Sequence, residues 1–288
     1  MAIAPASYGS EPSSGSRRDA SYSDGSGAGP SDKTTEFIAN YRRTFTVVPA
    51  DTPDLQQEAF RLRYQVYCVE NDFEDPADNP GEMETDAFDE RSAHALLLHR
   101  PTDQFVGTVR LALPNRQTAE MNLPINEVCS TSLLRDGRLY PPVSTGEISR
   151  FCISKDFLIR QRRLCRDQEK TGADRRNDRN ALPFITLGLM NAIVRMSVAN
   201  GVTHWCAVME PSLIRLLARL GIHFHPLSSL IEYHGYRQPC AARGAEILEA
   251  IRAKRAEAWH IITASGALEL EPNAALQGQA PELEKITH

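Results

Sequence analysis

The chain has 288 residues, 41% hydrophobic and 24% charged, the balance of a soluble globular protein with one large domain or two small ones. A net charge of −5 argues against wholesale nucleic-acid binding. No apolar run is expected to span a membrane, and the N-terminus lacks the apolar core of a secretion signal. The six cysteines are scattered, with no C-x-x-C pair. They read as reduced core thiols of a cytoplasmic protein with no metal centre.

Residues 1–33 are rich in Ser, Gly and Pro and are expected to be a disordered tail. A single domain is expected over 34–264. Phe37–Tyr41 has room for one helical turn, and Thr44–Val48 alternates like a first strand. Thr52 and Pro53 then suit a helix start, and Leu55, Ala59, Leu62 and Val66 recur at helical spacing to about Val69. Glu70 to Glu90 holds ten acids, no Lys or Arg, and Pro76, Pro80 and Gly81, which makes it a loop. Ala93–His99 and Phe105–Leu113 form a hairpin. An irregular, proline- and glycine-broken stretch follows to residue 145, leading into a central strand, Gly146–Ile153. A basic insert is expected over 155–180, because 155–179 carries nine Lys or Arg against five Asp or Glu in a chain of opposite sign. The rest reads as a buried helix 184–199, a strand 204–209, a helix 212–220, a strand pair Ile222–Leu227 and Ile231–Tyr236, one helix Ala245–Ile262, and a loose tail from 265. The layout is α/β: a mixed central sheet flanked by helices on both faces.

Five charges resist a purely structural account: Asp86, Asp89, Arg110, Glu147 and Arg150. A Glu and an Arg in an apolar central strand are costly unless paired. Strict alternation puts Glu147, Ser149 and Phe151 on one face and Arg150 on the other, so a bulge is needed to turn both charges into one cavity. Such a cluster suits a zwitterion, and one carboxylate can serve as a base toward an amine. A structural ion pair is the competing reading. A metal site on His223, His225 and His234 lacks a visible third-ligand pattern, and a His204–Cys206 nucleophile pair lacks an electropositive setting.

Arg63 to Tyr67, Phe73, Glu84-x-Asp86-x-Phe88-Asp89, Gly107 to Arg110 and Glu147 to Phe151 resemble the N-terminal half of the acyl-homoserine lactone synthases and N-acyl amino acid synthases, which have the GNAT acetyltransferase fold. Phe73 stands where that family usually has Trp, and Tyr67 where it has Phe. Thr203–Pro211 and Tyr233–Cys240 resemble the acyltransferases associated with PEP-CTERM/exosortase systems. The resemblance implies transfer of a fatty acyl group from a thioester carrier to the amine of an amino acid or similar small acceptor. It implies no permanently bound cofactor, with acyl-acyl carrier protein (a phosphopantetheine thioester) or acyl-CoA as co-substrate. Glu147, with Arg150 and Phe151, is then the expected catalytic set. Arg63, Tyr67, Phe73, Glu84, Asp86, Asp89, Arg110 and Ser149 are the expected substrate-binding residues, and the 184–199 helix and 204–209 strand are expected to line an acyl tunnel. No glycine-rich pyrophosphate loop follows Phe151. Arg160, Arg162, Arg163 and Arg166 are therefore expected to dock an acidic carrier protein. An acetyl-CoA-dependent acetyltransferase and a non-catalytic lipid- or nucleotide-binding regulator are the rival readings.

Overall fold

The turn expected at Phe37–Tyr41 extends into a full helix, α1 (Asp32–Thr44), because Phe37 and Tyr41 share a face that packs on Phe184, with ring centroids 4.7 and 5.8 Å away. A computed structural model describes residues 32–118, 121–167 and 181–270. Nearly all of the expected N-terminal tail, the second half of the basic insert and the last eighteen residues lie outside the described residues.

Strand β1 (Phe45–Pro49) leads into α2 (Pro53–Tyr64), whose first turn is capped by Thr52 Oγ1 accepting from the Leu55 amide at 3.4 Å. The helix then loosens into a π turn over Gln65–Val69, which buries Val66 and Cys68. Such widened turns gather at functional sites. After the acidic loop come β2 (Ser92–His99) and β3 (Gln104–Ala112), the expected hairpin. The irregular stretch contains two short helices, α3 (Ile125–Val128) and α4 (Ser132–Arg135), before β4 (Thr145–Ile153).

The first half of the basic insert is a helix, α5 (Lys155–Asp167), anchored by Phe157, which is 3% exposed and packs on His99. The next described helix, α6 (Ala181–Ala199), is buried without a break from Phe184 to Val194. By length and composition it is apolar enough to cross a membrane, yet 72% of it is buried inside the protein, where it packs on β1, β2 and β3. Strand β5 (His204–Met209) and α7 (Pro211–Arg219) follow as expected.

Two C-terminal expectations are corrected. The strand pair shrinks to β6 (His225–Pro226) and β7 (Ile231–Glu232), two residues each, and the long last strand is β8 (Tyr236–Arg243). Its polar start and Pro239 break the alternation that marks a strand. Pairing along all of β5 supplies what local pattern lacks. The single helix divides at Arg255 into α8 (Gly244–Lys254) and α9 (Ala256–Ile262), the Arg255 guanidinium donating to the Arg219 carbonyl and to Glu257. Leu270, 8% exposed, still packs on the core, so the folded body continues past 265.

The sheet order is β1-β2-β3-β4-β5-β8-β6, with β7 on β8. All pairs are antiparallel except β4–β5, which is parallel. That parallel pairing covers only Thr145↔His204, Gly146↔Trp205 and Glu147↔Cys206. Beyond Glu147 the two strands part, although β4 continues to Ile153 and β5 to Met209. Gly146 sits one step before the last closed pair. A Cβ there would lie 3.0 Å from the Ala112 carbonyl and 3.1 Å from Leu111 Cδ1. Gly146→Ala is therefore expected to cost about 1–3 kcal/mol through overpacking, read as a lowered urea midpoint at unchanged slope. An unchanged midpoint would show that the strand pair can spread there.

Candidate active site

The required bulge is present. Arg110 pairs with Ser149 and Thr108 with Cys152, so Arg150 and Phe151 together oppose Val109. Arg150 adopts φ 49°, a left-handed conformation that costs a non-glycine residue and persists only where its surroundings hold it. The bulge brings Glu147, Ser149, Arg150 and Phe151 all onto one cavity of about 590 Å³, opened by the parting of β4 and β5.

What holds Arg150 is a network of three guanidiniums and three carboxylates. Arg63 donates from Nε to Glu84 at 2.5 Å and from Nη1 and Nη2 to the two oxygens of Asp89 at 2.7 and 3.0 Å. Arg110 donates to Asp86 at 2.5 Å, to Asp89 at 2.8 Å and to Ser149 Oγ at 2.9 Å. Arg150 reaches both oxygens of Glu84 and stands 3.1 Å from Asp86. Charge-assisted, partly bidentate bonds of this kind offset the cost of burying the charges. Burial alone would raise the Glu84 carboxyl, but the bonds from Arg63 and the charge of Arg150 bring it down to about 2. Asp89 is pulled well below the usual carboxylate range in the same way, against its own burial. His94, 5% exposed, lies 3.7 Å from Asp89 without a hydrogen bond, and burial pushes its imidazole down to about 4.

Glu147 stands apart from this network. Sequence reasoning placed it in one cluster with Asp86, Asp89, Arg110 and Arg150. Instead its Oε2 accepts from the Ile125 amide at 2.5 Å, at the start of α3, and it has no ion pair among the described residues. It is 3% exposed and lines the cavity. Burial raises its carboxyl to about 8, against the lowering by the Ile125 amide and the more distant Arg110 and Arg150. A carboxyl poised near neutral pH is the tuning a general base requires.

Tyr67 and Phe73 form the expected aromatic wall, ring centroids 6.0 Å apart, with Arg150 over Tyr67 at 5.4 Å. Asp86 and Ser149 also reach the cavity. Arg63, Glu84, Asp89 and Arg110 do not: the first, second and last are buried and Asp89 is half-buried, all tied into the network. Arg63, expected on the acceptor side, instead holds Glu84 and Asp89. Of the expected acyl tunnel, α6 supplies Met190 and β5 supplies Val208 and Met209, while Leu213 and Leu217 of α7 complete the apolar end. Arg160, Arg162 and Arg163 are exposed on α5, and the Arg166 side chain lies outside the described residues.

Sequence reasoning missed Glu127 of α3 and gave no role to Tyr233 of the β7–β8 turn and Arg237 of β8, which also line the cavity. Arg237 stacks over Phe73 at 5.2 Å and pairs with Glu210 at 3.3 Å. The only signal for the last two was their place in the resembling segment Tyr233–Cys240; Glu127 carried none. The His204–Cys206 pairing does not form: His204 Nδ1 bonds Thr203 Oγ1, and the buried Cys206 thiol, raised by burial, points to the Gly146 carbonyl.

A mixed sheet with one parallel pair that parts beside a bulged strand, with the cavity at the fork, is a GNAT-like α/β layout. Residues 62–166 match the Acetyltransferase (GNAT) domain family. No curated protein matches the chain in sequence. Among solved structures, the AHL synthase LasI is similar at 18% identity over 73% of this chain and 95% of that one, TM-score 0.49. FeeM, an N-acyl amino acid synthase from uncultured soil microbes, shares 12% over 72% and 94%, TM-score 0.47. BjaI, a CoA-dependent acyl-homoserine lactone synthase, shares 16% over 78% and 91%, TM-score 0.46.

Proposed function

We propose that the protein is an N-acyltransferase that moves a fatty acyl group from a thioester carrier to the amine of a small acceptor by direct attack. The observation that carries this reading is Glu147: a buried carboxyl, poised near pH 8, at the root of the fork between β4 and β5. The amine enters past Tyr67 and Phe73, and Glu147 takes its proton. The neutral amine attacks the thioester carbonyl, the thiol leaves, and backbone amides of the bulge near Phe151 stabilise the oxyanion. The apolar end of the cavity, with Met190, Leu213 and Leu217, receives the acyl chain. Mass spectrometry of lipid extracts from expressing cells tests this: new N-acyl amines are expected, and none from cells expressing Glu147→Gln. The absence of any new N-acyl amine from the wild-type extract would remove the activity.

Acyl carrier protein is the favoured donor over CoA. In an acetyl-CoA user the amides at the start of the helix after the central strand grip pyrophosphate. Here the Glu70 carboxylate occupies that place, accepting from the Lys155 amide at 2.9 Å and the Asp156 amide at 3.3 Å. An acid at that position repels phosphate. The basic face of α5 suits an acidic carrier instead. Replacing Arg160, Arg162, Arg163 and Arg166 together with Ala is expected to slow association with acyl carrier protein and spare a short carrier-free thioester. Salt should mimic the change, because steering is screened. Equal losses on both donors would give α5 another purpose. The exosortase association rests on the resemblance of Thr203–Pro211 and Tyr233–Cys240 alone.

A further inference from the structure

We infer that the acceptor is a diamine-type cation, an amine carrying a second positive group and no carboxylate. This rests on the reading of the cavity as the amine-acylating site and narrows its substrate class.

The cations that line the cavity are already engaged. Arg150 is held by Glu84 and Asp86, within a network whose three positive and three negative groups cancel. Arg237 is paired with Glu210 and stacked on Phe73. Lys155 donates to the Asn71 side chain and the Glu70 carbonyl, and its own amide is held by the Glu70 carboxylate. An acceptor carboxylate would have to displace one of these partners.

The carboxylates are not balanced in this way. Glu147 uses one oxygen for Ile125, and its other takes no hydrogen bond from the described residues, although the side chain is 97% buried and lines the cavity. Glu127, two residues beyond Ile125 on α3, is exposed on the cavity wall with no ion pair among the described residues. Glu74 stands 3.9 Å from Arg150, at the limit of pairing. Glu74, Glu127, Glu147 and Tyr233 all line the one cavity, so the acids border one space; burial, and then these acids against Arg150, raise the Tyr233 hydroxyl. Glu127 and Glu147 have no counter-ion among the described residues, and a cation fits the space they line.

A diamine satisfies both ends. One ammonium gives its proton to Glu147 and attacks the thioester carbonyl carbon. The C–N bond forms, the C–S bond breaks with its electron pair going to sulfur, the second proton that the nitrogen sheds on becoming an amide passes to the thiolate, and Glu147 returns the first to solvent. The second ammonium stays charged beside Glu127 and Glu74. Its arrival also lowers the Glu147 carboxyl, turning a neutral acid into a base when the acceptor is bound.

The test uses the full-length protein with cadaverine, pentylamine, lysine and aminocaproate, and a dodecanoyl pantetheine thioester. Products are read by mass spectrometry, and binding without thioester by calorimetry. Cadaverine is expected to exceed pentylamine and aminocaproate by about tenfold in kcat/KM and in affinity. Glu127→Gln should shrink the cadaverine-to-pentylamine ratio severalfold. Preference for lysine or aminocaproate, equal use of all four, or no binding of any amine would overturn the inference. Selective binding of cadaverine without product from any thioester would uphold it and remove the acyltransferase reading.

Discussion

Glu147→Gln is expected to lower kcat by about 10²–10⁴-fold, the range that a positioned general base contributes, while circular dichroism and the unfolding midpoint show a folded protein. Gln keeps the shape and can still accept from the Ile125 amide, but it cannot take a proton. The pH dependence carries the sign. Glu147 acts ionised, and its carboxyl is raised to about 8, so activity should climb with pH until it levels near 8. Stability runs the other way. A carboxyl raised by folding binds a proton in the folded chain and not in the unfolded one between about 4.5 and 8, so its contribution worsens as pH rises through that window. The Gln variant should lose this slope and become relatively more stable at pH 8. A folded variant with undiminished turnover would take Glu147 out of the mechanism.

Arg63→Met should destabilise the protein by about 3–5 kcal/mol, because it leaves Glu84 and Asp89 buried without their main partner. Met retains volume, so the loss is electrostatic rather than a cavity. Urea unfolding at pH 7 measures it, and a loss under about 1 kcal/mol would mean that Arg110 and Arg150 suffice. The pH profile separates this from a packing defect. Glu84 is depressed from 4.5 to about 2, so its stabilisation is present above 4.5 and is lost as pH falls toward 2. Wild type and variant should therefore converge in acid. A gap that does not narrow between pH 5 and pH 2 would assign the loss to packing, since Asp89, held lower still, gives up its share only in stronger acid. Because Arg63 does not face the cavity, Arg63→Met should lower kcat only through the displaced Arg150, and mainly at temperatures near the unfolding midpoint.

Much of this was legible in the residues themselves. Strong periodicity located α2, α6, β2, β3 and β5 to within a few residues, and an Arg or Glu inside an apolar strand announced a site, since such groups are costly to bury unless used. The need for a bulge at Arg150 followed from the two-residue period of a strand alone. Weakly patterned segments were not legible: β8, broken by Pro239, takes its form from pairing along β5, and the single C-terminal helix divides because Arg255 bridges Arg219 and Glu257.

Sequence by itself determined which charges the fold must accommodate, and on which strands. Only the tertiary structure decided how they divide. It tied Arg63, Arg110 and Arg150 to Glu84, Asp86 and Asp89, and left Glu147 buried at the fork with one backbone amide. Six of these seven groups lie within a salt-bridge length of one another, so neighbours in space, not in sequence, set which carboxyl is neutralised and which is raised. Desolvation and charge pairing act over a few ångströms, and residues 63, 84, 86, 89, 110 and 150 come within that reach only when the strands are in register.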